Sequence, residues 1–136
     1  MTRTALITGA SSGLGAEYAR QLARRGVDLV LVGRDRDALD VVASATAHAG
    51  GIRTEALPAD LTVPEERERV VQRLRDAERP IDLLVNNAGF GLTGAFESRD
   101  IDDEARHLAL HVEAPLRLVH RSEERRVGKE CRSRWS

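Results

Sequence analysis

A chain of 136 residues has room for one buried core and not for two domains. Its 41% hydrophobic and 32% charged residues, with a formal net charge of −1, describe an ordinary globular protein without a basic face, so no nucleic acid partner is expected. The longest apolar runs, such as LVLVG, are far too short to cross a bilayer, and the amino terminus MTRTALITGA lacks a secretory apolar segment. No membrane partner is expected, and the chain reads as cytoplasmic. Its single cysteine cannot form an internal disulfide, which agrees with a reducing compartment.

In chain order, Thr4 to Thr8 (TALIT) reads as a short buried strand. A glycine turn follows, then a helix whose residues Leu14, Tyr18 and Leu22 recur every four positions and are expected to face the core, until Gly26 stops it. Asp28 to Val32 (DLVLV) is a second strand. Asp35 is placed to cap a helix carrying Leu39, Val42, Ala43 and Ala47 on one side, ended at Gly50 and Gly51. The stretch IRTEALPAD gives a third strand. Thr62 with Glu65 forms a capping-box pattern opening a helix with Val70, Val71 and Leu74 inward. Ile81 to Asn87 (IDLLVNN) is the fourth strand, and after a glycine-rich loop the segment DIDDEARHLALHVEAPLRLVH reads as one long helix. Strands alternating with helices, with near-continuous apolar strands, imply an α/β fold: a doubly wound, Rossmann-like parallel sheet covered on both faces.

The chemistry sits where the first strand meets the first helix, in TGASSGLG (Thr8 to Gly15). Gly9, Gly13 and Gly15 permit a tight turn and close backbone approach, and the helix amino terminus offers N–H groups and a positive dipole end, a setting suited to a pyrophosphate. Ser11 and Ser12 add hydroxyls that serve either the phosphates or the turn itself. The contacts of this turn are expected to be local to the first strand–helix–strand unit. No Lys-Ser or Lys-Thr follows the glycines, which argues against a nucleotide-hydrolysing P-loop.

On these residues the chain resembles the short-chain dehydrogenase/reductase family, and the resemblance covers residues 3 to 120. TGASSGLG is similar to its T-G-x-x-x-G-x-G cofactor loop, NNAG (Asn86 to Gly89) to its second signature, and ADL (Ala59 to Leu61) to its adenine-contacting segment. The resemblance implies dinucleotide binding by Gly9, Ser11, Ser12, Gly13, Leu14, Gly15, Asp60, Leu61, Asn87, Ala88 and Gly89. It also implies a homo-oligomeric parent acting on a small-molecule carbonyl or alcohol. Where the second strand ends, an acidic residue would hold the ribose of NAD; here Gly33 leaves room and Arg34 offers a planar cation suited to a phosphate. NADP is the expected cofactor, with NAD as the alternative if Asp35 takes the ribose.

Family catalysis resembles a proton relay built on Ser and Tyr-x-x-x-Lys, and that motif is expected beyond this chain. The only tyrosine is Tyr18 and the only lysine is Lys129. One relay position is carried by His111, at the place where the family's Asn is usual; a lone helical histidine is otherwise structural. The remaining histidines show no metal-ligand spacing, and no metal is expected. The alternative to an oxidoreductase is a non-catalytic dinucleotide-binding or sensor module.

The last sixteen residues use a different alphabet. They hold the only Lys, Cys and Trp, with 6 basic and 3 acidic groups, whereas residues 1 to 120 carry 15 basic groups, all Arg, against 19 acidic ones. They resemble the in-frame translation of a sequencing-library adapter. On that reading residues 1–120 form an incomplete dinucleotide-binding domain, truncated after the fourth strand and its helix, and residues 121–136 are an assembly scar and no domain. The competing reading is a regulatory tail.

Overall fold

The computed structural model describes residues 2–127, with side chains as far as residue 122. Four strands, β1 (Thr4–Thr8), β2 (Asp28–Gly33), β3 (Thr54–Pro58) and β4 (Leu83–Val85), form one parallel sheet in the order β3-β2-β1-β4. Helices α1 (Gly13–Arg24), α2 (Arg36–Gly50) and α3 (Pro64–Arg75) connect them. After β4 come a 3₁₀ turn (Phe96–Ser98) and a long helical rod: α4 (Ile101–Leu108), a π-helical segment (Ala109–Glu113) and α5 (Ala114–Val127). The third and fourth strands are shorter than the sequence suggests, because pairing begins at Thr54 and at Leu83.

Alternation along the central strands explains why both faces of the sheet are covered. Ala5, Ile7, Leu29 and Leu31 point to one side, where they meet α1 and α2; Leu6, Val30 and Val32 point to the other, where they meet α3 and α5. Successive strand residues face opposite ways, so a strand that is apolar throughout needs a helix layer on each side. The sheet is therefore doubly wound, as the sequence implies.

The inward face of α1 is not the expected one. Leu14 is 72% exposed and Tyr18 is 47% exposed, while Gly15, Ala16, Ala19 and Ala23 are buried and Leu22 is half-buried. The cause is close approach. A Cβ at Gly50 of α2 would stand 2.5 Å from the Ala23 carbonyl oxygen, and only a face of small residues fits at that separation. Leucine-period reading selects large residues, and here the small ones are inside.

The capping box is also replaced. The N-cap of α3 is Val63, with Pro64 at the first helical position and no side-chain cap. The Thr62 hydroxyl turns back to donate to Asp60 Oδ1 at 2.7 Å, and Glu66 accepts from the Asp60 N–H at 2.6 Å. Asp35 does cap α2, accepting from the Ala38 N–H at 3.0 Å. The expected single rod after β4 is present, but its α geometry is interrupted by the π segment, and α5 continues through residue 121 to Val127. The remainder of the proposed scar, residues 128–136, lies outside the described residues.

Buried charge is satisfied locally. Asp28, 6% exposed at the start of β2, accepts from the Arg53 N–H, Nε and Nη2 at 2.9, 3.0 and 2.8 Å. The buried Arg67 donates to the Leu61 carbonyl and to Glu113, tying α3 to the rod. No described helix is long and apolar enough to cross a membrane.

Candidate functional site

The carboxyl ends of β1, β2, β3 and β4 open onto one cleft of about 340 Å³. Four chain segments supply its predicted residues. The turn after β1 gives Gly9, Ser11, Ser12 and Leu14; the end of β2 gives Arg34; the end of β3 gives Asp60 and Leu61; and the end of β4 gives Asn87, Ala88 and Gly89. Clefts outside the carboxyl ends of parallel strands are the usual ligand sites of open α/β sheets.

Gly13 and Gly15 do not line the cleft; they shape it. Gly13 has φ of 56°, in the left-handed region, and a Cβ placed there would meet nothing within 4 Å, so its requirement is conformational. Gly15 is limited by space: its Cβ would lie 2.0 Å from the Gly9 carbonyl oxygen and 2.6 Å from Asn87 Nδ2. Gly9 combines both, with φ of 65° and a Cβ that would meet Ala88 Cα at 2.8 Å.

These distances overturn the expectation that the turn is local. Asn87 Nδ2 donates to the Thr8 and Gly9 carbonyls, each at 3.2 Å. The Thr8 hydroxyl oxygen accepts from the Asn87 and Ala88 N–H groups, each at 3.0 Å. The two glycine-containing motifs, 79 residues apart at Thr8 and Asn87, are thus one hydrogen-bonded unit. Sequence reasoning passes over Thr8 as a site residue, although its place in the first motif holds the signal.

Ser12, the extended N-cap of α1, makes no side-chain cap, and the first turn of α1 has no acidic residue. A helix amino terminus in that condition favours an anion. At the rim, Arg34 and Arg106 flank Asp60. Partial burial pushes the Asp60 carboxyl up, but hydrogen bonds from Thr62 and the charges of Arg34 and Arg106 more than offset this and hold it below the ordinary aspartate range. Arg106, Thr62 and Phe90 also line the cleft and carry no motif by which sequence would reveal them.

A lowered folded-state pKa contributes stability above the unfolded value and loses it as pH falls through the folded one. Asp60→Asn should therefore lower the urea midpoint at neutral pH, and the gap from wild type should shrink as pH drops below about 4. A gap that stays constant through the acid range would show that Asp60 owes nothing to its charge.

His111 stands behind the cleft rather than in it, its Nε2 directed at the backbone of Phe90. Among the described residues no group of three or more His, Cys, Asp or Glu is placed to hold a metal.

The family model described as short chain dehydrogenase matches residues 3–123. A short-chain dehydrogenase from Sphingobium yanoikuyae, solved in complex with NADPH, superposes with a TM-score of 0.89 at 44% identity, over 93% of this chain and 49% of that one. The bulky-bulky ketone specific alcohol dehydrogenase of Comamonas testosteroni gives 0.89 at 41% identity, over 93% and 50%. An uncharacterised oxidoreductase of Staphylococcus saprophyticus is 33% identical over 118 residues, 87% of this chain and 50% of that protein. The chain spans about half the length of each of these relatives. With its fold, its glycine turn and its NNAG segment all agreeing with that match, the chain belongs to the short chain dehydrogenase family.

Proposed function

We propose that this chain is the nucleotide-binding part of an NADP-dependent oxidoreductase that exchanges hydride between nicotinamide and a small carbonyl or alcohol compound. Residues 1–120 carry the binding role in this reading, and residues 121–136 add nothing to it. The residues present fit a dinucleotide. Gly9 and Gly15 keep open a cradle that side chains would fill, and the amino terminus of α1 is aimed at the same cleft as Arg34 and Asp60. In that role the Ser11 and Ser12 hydroxyls and the α1 amino terminus bind phosphate oxygens, Asp60 and Leu61 receive the adenine, and Asn87, Ala88 and Gly89 form the wall toward the nicotinamide end. When bound, the nucleotide supplies the hydride.

One observation carries the preference for NADP over NAD. Arg34 lines the cleft, whereas the Asp35 carboxylate is engaged at the Ala38 N–H as the α2 cap. One oxygen of the acidic side chain that would read a ribose hydroxyl is committed to the helix cap, and a planar cation stands at the rim. The NADPH held by the Sphingobium relative agrees with this, and the ketone named for the Comamonas relative agrees with the substrate class.

Calorimetry on the 136-residue chain tests it. Arg34→Ala should weaken NADPH binding by roughly 1–3 kcal/mol, the worth of a charge-assisted hydrogen bond, and leave NADH binding nearly unchanged. Equal losses for both nucleotides would return Arg34 to the role of a surface residue.

A further inference from the structure

Neighbouring residues of α3 hold neighbouring backbone groups of the cleft wall. The Glu66 carboxylate accepts from the Asp60 N–H at 2.6 Å, and Arg67 Nη1 donates to the Leu61 carbonyl oxygen at 3.2 Å. Arg69 Nη2 reaches further back and donates to the Pro58 carbonyl at 2.9 Å. The first turns of α3 thus clamp the carboxyl end of β3. Glu66 is half-buried and Arg69 exposed, whereas Arg67 is 5% exposed and continues to another element. Its Nη2 donates to Glu113 Oε1 on the rod at 3.0 Å.

One guanidinium therefore joins two walls of the cleft. Leu61 lines it from the end of β3 and Leu110 lines it from the rod, and Glu113 follows Leu110 by one helical turn. Neither Arg67 nor Glu113 lines the cleft itself. The apolar cluster shared by α3 and the rod, with Val70, Val71, Ala114 and Leu118, is held by a non-directional force, which brings the helices together without fixing how one slides on the other. A planar guanidinium with its donors in a fixed fork does fix it.

We propose that Arg67 is a positioning residue that sets the separation of the Leu61 and Leu110 walls, and through it the affinity for the adenine end of the nucleotide. The consequence for affinity rests on the dinucleotide reading above; the link between the walls does not. Adenine is common to NADPH and NADH, so Arg67 acts on both alike, in contrast to Arg34. A cation buried this deeply is costly without its acid partner, so Arg67 follows any shift of Glu113 and passes it to the Leu61 carbonyl. Glu113 also accepts from Arg117 Nε at 3.0 Å, a bond that stays within the rod and does not reach the wall.

Carbonyl carbon spectra of the 136-residue chain, recorded without nucleotide, test the link. In Glu113→Ala the Leu61 carbonyl signal should move in the same direction as in Arg67→Lys, whose single nitrogen cannot form the fork. In Glu113→Gln, which keeps an acceptor oxygen, and in Arg117→Ala, it should stay near its wild-type position. Affinities for NADPH and NADH, measured where urea unfolding shows each variant folded, should both fall about fivefold in Glu113→Ala, the loss of about one hydrogen bond. They should stay within about twofold of wild type in Glu113→Gln and Arg117→Ala. Adding Glu113→Ala to Arg67→Lys should cause no further loss, because the link is already broken. A Leu61 signal indifferent to Glu113→Ala would overturn the proposal, and so would Arg117→Ala weakening binding as much as Glu113→Ala, or a lower urea midpoint in Glu113→Ala with both affinities unchanged. Spectra that behave as described in a protein that binds neither nucleotide would uphold the link between the walls and defeat the dinucleotide reading instead.

Discussion

Supplied with NADPH and a panel of aldehydes and ketones, the 136-residue chain should oxidise no nucleotide above the rate in buffer. A carbonyl oxygen must receive a proton as hydride arrives, and the donor must have a pKa brought toward neutrality by its surroundings. The chain's one tyrosine, Tyr18, lies on the outward face of α1, and its one lysine is Lys129. Within the cleft the carboxyl group of Asp60 is held in its ionised form by Thr62, Arg34 and Arg106, which makes it a poor acid. His111 is spent on the Phe90 backbone. Among the described residues, Tyr18 is misplaced, Asp60 is ionised and His111 is engaged. Turnover that survives deletion of residues 128–136 and disappears in His111→Ala would contradict this and demand a relay built on histidine. Tight NADPH binding without turnover would agree with it, and would equally suit a sensor module.

The second large effect belongs to Gly15. Gly15→Ala should abolish nucleotide binding and destabilise the fold by roughly 3 kcal/mol, at the upper end for inserting one methyl group into a filled space. The methyl would sit 2.0 Å from the Gly9 carbonyl oxygen, a backbone atom with no route of escape, and 2.6 Å from the Asn87 amide. Gly13→Ala is the contrast within the same motif. Its methyl meets nothing within 4 Å, and only the left-handed backbone resists it, at about 1 kcal/mol. Urea unfolding of both variants separates the two. Similar midpoints would mean that the α1–β1 turn relaxes around an added methyl and that Gly15 is conformational after all.

The fold is readable in the sequence because its signals are local and redundant. DLVLV can only be a strand buried on both faces, and Asp35 before a helical pattern is a cap that tertiary packing has no reason to disturb. The cleft is readable for a similar reason: ten of the predicted binding residues line it, since glycine turns at strand ends force the backbone to a known place. What escapes the sequence is set by distances between elements. Periodicity ranks Leu14 and Tyr18 above Ala16 and Ala19, yet the gap between α1 and α2 admits only the alanines. Thr62 matches a capping pattern, but Pro64 fixes the first helical turn one residue later and leaves the threonine hydroxyl to Asp60. The π segment costs one register step that no residue in ALHVE announces, and Arg106 reaches the cleft only because the rod crosses it.

The hydrogen bonds that join Thr8 to Asn87 and Ala88 also set an order of events. A chain leaving the ribosome completes its glycine turn early in synthesis, but the groups that fix that turn emerge some eighty residues later. Closing so long a loop is slow, although its entropic cost grows only with the logarithm of its length. Nucleotide therefore cannot serve as a template for the first unit. It can reward only a sheet already four strands wide, and by mass action it then stabilises that whole span together. Limited proteolysis with and without NADPH should accordingly protect α2 and α3, whose residues do not line the cleft, as strongly as the glycine turn itself.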